Sequence, residues 1–96
     1  MVKVTVDGTV LAQSDKTVKL EGNHYFPPES CNEDLLTAST TVYVCPWKGS
    51  ATYYNVTLDG KDIKDAAWSY PQPKEAAKSI TGHLAFDKSK VKIEDN

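Results

Sequence analysis

Ala51-Thr52-Tyr53-Tyr54-Asn55-Val56-Thr57-Leu58, followed by Asp59-Gly60, decides the fold. The run is rich in β-branched and aromatic residues, which suit a pleated, half-buried strand, and Asp-Gly is a two-residue turn that folds the chain back on itself. What returns is Lys61 to Ala66, polar but for Ile63 and its closing alanine, and then Ala67-Trp68-Ser69-Tyr70, ended by Pro71 and Pro73. Alternation puts Trp68 and Tyr70 on one face of that returning strand. Upstream, Thr40-Thr41-Val42-Tyr43-Val44-Cys45 reads as a further strand, which Pro46 stops because proline gives a sheet no donor.

Working outward, Val2, Val4 and Val6 alternate with Lys3, Thr5 and Asp7, and Asp7-Gly8 turns this first strand into Thr9-Val10-Leu11-Ala12. Val18 and Leu20 mark a third short strand that Gly22-Asn23 ends. Tyr25-Phe26-Pro27-Pro28 is aromatic and then stiff, so it is no central strand. Asn32 is placed to cap one helical turn reaching Leu35 and Leu36, whose side chains would pin it to the core. Glu75-Ala76-Ala77-Lys78 is the one good helix-forming run, giving one short helix near residues 74–79. Ile80, Leu84 and Phe86 flank Gly82-His83, and Val91 and Ile93 alternate with polar residues, giving one or two last strands. The expectation is an all-β, mainly antiparallel fold of roughly seven or eight short strands in a single domain over residues 1–96.

A formal net charge of −2 over 96 residues offers no basic field for neutralising many phosphates, so nucleic acid is not an expected partner. No apolar run approaches the roughly 20 residues that cross a bilayer, so no membrane partner is expected either, and a cytoplasmic address is. Cys31 and Cys45 are the only cysteines, with thirteen residues between them and in no Cys-x-x-Cys pair. They cannot supply the four ligands of a structural zinc, so no metal and no other cofactor is expected. Asn55-Val56-Thr57 has the spacing of a glycosylation acceptor, but its place in the strand pattern is the simpler reading.

The candidate chemistry gathers around Cys45-Pro46-Trp47-Lys48-Gly49. Lys48 leaves a turn at the end of a strand. Its ammonium is expected either in water or over a concave face lined by Tyr25, Trp47, Tyr53, Trp68 and Tyr70, where desolvation would lower its pKa and a planar ligand could bind beside it. Glu21 is the preferred ion partner or proton acceptor. His24 is a candidate general acid or base, and Cys45 is a candidate nucleophile, although a buried small hydrophobe is the commoner role for such a thiol. No Gly-rich phosphate loop and no Asp-x-Asp pair is present, and no complete catalytic signature stands in the chain.

Three spaced motifs, Glu21-Gly22-Asn23-His24-Tyr25-Phe26-Pro27, Cys45-Pro46-Trp47-Lys48-Gly49 with Ala51 and Tyr53, and Ala67-Trp68 with Tyr70-Pro71 and Ala85-Phe86, resemble domain-of-unknown-function family 427 (DUF427), which carries a nucleotidyltransferase-like label. The resemblance implies a β-tent fold, in which two antiparallel sheets lean together. From the residues and the resemblance together, the leading expectation is a domain that binds a small aromatic or anionic organic ligand. Acid-base chemistry is available to it through Lys48, Glu21, His24, Tyr53 and Cys45, and contacts through Tyr25, Trp47, Trp68 and Tyr70. The rivals are a protein-interaction module and a nucleotidyltransferase-like activity. The sequence leaves open whether the chain is an enzyme and whether sheet edges pair between copies as a homo-oligomer.

Overall fold

A computed structural model of the chain describes residues 1–95. Nine strands follow one another: β1 Val2–Val6, β2 Thr9–Ser14, β3 Val18–Leu20, β4 Asn23–Tyr25, β5 Leu36–Cys45, β6 Gly49–Leu58, β7 Lys61–Ser69, β8 Leu84–Phe86 and β9 Lys92–Asp95. All pairings between them are antiparallel, as expected. They form three sheets, in the orders β2-β1-β9, β3-β4 and β5-β6-β7-β8, where the resemblance implied two.

Two of the hairpin turns were readable. Asp7-Gly8 and Asp59-Gly60 each place both residues at positive φ, the geometry whose twist matches that of the flanking strands. The third was not. Glu21 and Gly22, at φ 53 and 79, form the same kind of turn and join β3 directly to β4, so Gly22-Asn23 does not simply end a strand. The expected short helix is a pair of 3₁₀ turns over Glu75–Ile80, broken at Ala77, which buries Ala77 and Ile80. Asn32 precedes a 3₁₀ turn, Glu33–Leu35, without capping it through its side chain, while Leu35 and Leu36 pack on the core as expected.

The four-stranded sheet is the central layer, and strand alternation gives each of its faces a different cluster. Tyr54, Val56, Ala67, Leu84 and Phe86 meet Val2, Val4, Leu11 and Phe26, with the Phe26 and Phe86 rings edge to face at 5.8 Å between centroids. On the opposite face Ala51, Tyr53, Trp68 and Ala85 meet Tyr25, Tyr70, Ala77 and Ile80, with Val18 and Leu20 of the β3-β4 hairpin packed alongside. That second cluster, between the sheet and the small hairpin, is where the candidate residues converge.

Candidate functional site

Cys45 pairs with Gly49 across a three-residue loop, Pro46-Trp47-Lys48, which carries the lysine at its inner end. The loop is latched by the strap that follows Tyr70. The Lys74 N–H donates to the Lys48 carbonyl at 2.8 Å, and Lys74 Nζ donates to the Pro46 carbonyl at 2.7 Å. Gly49 lies at φ +111, a region L side chains rarely adopt, and faces Gln72, Pro73 and Lys74. Fixed in this way, the Lys48 side chain turns inward and becomes one of the few buried charged groups of the fold.

Its ammonium donates to Glu21 Oε1, and the two form an ion pair. It stands 5.2 Å from the Tyr70 ring centre and 5.5 Å from that of Trp47, distances at which an aromatic face attracts a cation. Burial alone would push the ammonium down. The hydrogen bond to Glu21, with the phenol oxygens of Tyr25 and Tyr70 and the Glu21 charge, outweighs that and holds its pKa above the ordinary lysine value, the reverse of the lowering expected from the sequence. The same hydrogen bond holds the Glu21 carboxyl below its usual range. Burial pushes the Tyr70 phenol up to about 12 despite the nearby lysine, and it raises Tyr53 as well.

Behind the pair lies an aromatic wall. Trp68 Nε1–H donates to Tyr25 Oη at 3.2 Å, with the two rings edge to face at 6.5 Å, and Tyr53 lies tilted against Trp68 at 6.2 Å. Cys45 is buried in the same cluster. Lys48, Glu21, Trp47, Tyr70, Tyr25, Tyr53, Trp68 and Cys45 are thus brought together. His24 is not. Alternation along β4 buries Tyr25 and sends His24 to the other side of the hairpin, where its Nδ1 meets Thr17 Oγ1 at 2.9 Å and its Nε2 stands 3.6 Å from Asp95. Sequence reading missed the Lys74 latch, whose only signal was the stiff Pro71-Gln72-Pro73 segment that delivers it. Among the described residues, no group of three or more His, Cys, Asp or Glu side chains could hold a metal ion. Nor, among them, is any helix long and apolar enough to cross a membrane.

An antiparallel all-β domain with an inward lysine–glutamate pair set against aromatic rings is the class that fold and site define. The chain belongs to the family described as a domain of unknown function (DUF427), whose model matches residues 1–96. No curated protein matches it.

Proposed function

We propose that the chain binds a small organic anion with an aromatic body, such as an aromatic carboxylate, at the Glu21–Lys48 pair beside Trp47. The observation that carries this reading is the state of Lys48. It is a buried, protonated ammonium over aromatic rings, and its one carboxylate partner is a side chain 46% exposed, on a left-handed backbone position that glutamate seldom occupies. Strain of that kind persists where the surroundings over-determine it, and it clusters at ligand clamps. A ligand carboxylate would take the place of Glu21 on Lys48 while its ring lies against Trp47.

Binding is supported above acid-base catalysis. A general acid or base works best with a pKa near the operating pH, whereas Lys48 stays protonated, Glu21 stays ionised, and the phenols of Tyr53 and Tyr70 stay neutral. The nucleotidyltransferase-like activity implied by the resemblance receives no supporting observation at this site. The cytoplasm suits the reading, since Cys31 and Cys45 are both free thiols.

The experiment is a fluorescence and thermal-shift titration with benzoate and indole-3-carboxylate on the wild type, Lys48→Met and Glu21→Gln. Saturable binding is expected in the wild type, none in Lys48→Met, and tighter binding in Glu21→Gln, where the internal competitor has lost its charge. Equal binding in wild type and Lys48→Met would remove the site.

A second reading, the protein-interaction module, is favoured by the open edge of the central sheet. β5 is an edge strand on which Val42, Val44 and Tyr43 are 83%, 60% and 48% exposed, so a partner's extended segment could add to it as a further strand.

A further inference from the structure

The displaced histidine leads to a second site. Val2 and Val4 turn inward from β1, so Lys3 and Thr5 face out, and β9 lies beside them in register, with Lys3 opposite Glu94 and Thr5 opposite Lys92. In the β3-β4 hairpin, Val18, Leu20 and Tyr25 turn towards the aromatic cluster, so Lys19 and His24 turn away from it. These outward residues converge with the Asp87–Val91 turn on an open groove of about 1090 Å³, large enough for a small organic ligand. The turn is held in shape by Asp87, which accepts from the Ser89 hydroxyl and N–H and thereby fixes where Lys88 and Lys90 start.

The charge on this groove opposes that of the whole molecule. Five of the eleven lysines line it against three of the thirteen carboxylates, in a chain whose net charge is −2. One of those carboxylates, Glu94, is paired with Lys92 at 3.9 Å, and Asp95 stands 3.6 Å from the His24 ring. Asp7 is the third carboxylate of the lining. Among the described residues, Lys3, Lys19 and Lys88 have neither an ion pair nor a side-chain hydrogen bond. Three uncommitted ammonium groups around one concavity, in a lining where lysines outnumber carboxylates, leave it with a positive potential. His24, held by Thr17, forms part of the lining, and Val6 and Ile93 provide apolar wall.

We infer that the groove is a binding site for a phosphorylated small organic molecule, with Lys3, Lys19 and Lys88 contacting the phosphate oxygens and Val6 and Ile93 taking the carbon skeleton. A dianionic phosphate suits the site better than a carboxylate, because it offers several acceptor oxygens to several separate point charges. This site is independent of the Glu21–Lys48 pair and stands or falls apart from it.

The test is a backbone amide NMR titration with pyrophosphate and with phenyl phosphate at physiological ionic strength, where non-specific screening is already strong. Saturable shifts are expected at Lys3, Gly22, Asn23 and His24. The double variant Lys3→Ala/Lys19→Ala should bind about tenfold more weakly. Lys61→Ala/Lys78→Ala removes the same net charge away from the groove and should bind like the wild type. Equal weakening in the two double variants, or shifts that grow linearly without saturation, would overturn the site. A third arm uses phosphatidate vesicles, and binding to them without any response to the soluble phosphates would overturn the small-molecule assignment.

Discussion

Gly49→Ala isolates what the loop beneath Lys48 contributes. An added Cβ would meet Gln72, Lys74 and Pro73 at 3.5, 3.6 and 3.7 Å, all ordinary contacts, so crowding is not the cost. The cost lies in the backbone. At φ +111 an L residue is outside even the small left-handed basin, and holding it there costs about 2 kcal/mol. Gly60 gives the comparison, because its φ of +77 lies near that basin and nothing stands within 4 Å of an added Cβ, so Gly60→Ala should cost only about 1 kcal/mol. For a domain of this size each kcal/mol moves the melting temperature by roughly 4–8 °C, so Gly49→Ala should melt about 10 °C below the wild type and Gly60→Ala about half as far. Thermal unfolding gives the first readout, and amide exchange of Lys74, whose N–H donates to the Lys48 carbonyl, gives the second. Exchange should accelerate in Gly49→Ala alone. An equal melting shift in the two variants, or an unchanged Lys74 amide in Gly49→Ala, would refute the reasoning.

Alkaline and acid stability follow from the ion pair. Lys48 has a raised pKa in the folded chain, so its stabilisation is complete below the ordinary lysine value of 10.5 and is lost as pH rises beyond it; Lys48→Met should flatten that limb of a pH series of denaturation midpoints. Glu21 is depressed, so its share is present above the ordinary glutamate value of 4.5 and is lost as pH falls through the folded value, and Glu21→Gln should shrink the acid limb. Phe26→Ala empties the centre of the larger cluster and should cost about 3–5 kcal/mol, measured by urea unfolding; a loss under 1 kcal/mol would mean that the cluster is not the core. Val42→Lys with Val44→Lys should abolish any concentration-dependent sedimentation by charging the open edge of β5, without lowering the melting temperature by more than a degree or two.

What the sequence made legible was whatever short-range chemistry decides. Asp7-Gly8 and Asp59-Gly60 announced their hairpins because aspartate and glycine tolerate positive φ, and alternation carried through the end of β7 put Trp68 and Tyr70, just past it, in one cluster. Glu21-Gly22 announced nothing. Glutamate does not favour that conformation, and the partner accompanying it there is Lys48, twenty-seven residues away. His24 was drawn to the aromatic cluster by its neighbours in a motif, although the alternation of a strand containing Tyr25 would have sent it outward. The direction of the Lys48 shift was illegible for a related reason: desolvation and pairing oppose each other, and only the position of Glu21 decides between them. The groove lysines come from β1, the β3-β4 hairpin, the Asp87–Val91 turn and β9, so no single stretch of sequence shows them together.

The pairing of β1 with β9 also sets an order of events. Val2 and Asp95 are register partners, as are Val4 and Ile93, so one side of β1 closes only when chain about ninety residues distant arrives. β1 and β2 are joined by a two-residue turn, whereas the contact with β9 joins segments separated by nearly the full length described, and such closures carry a high entropy of search. Until it forms, the valine-bearing strand is an unsealed border of a growing sheet, open to the corresponding strand of another nascent molecule. Refolding yield should therefore fall with protein concentration even where the finished fold remains dispersed.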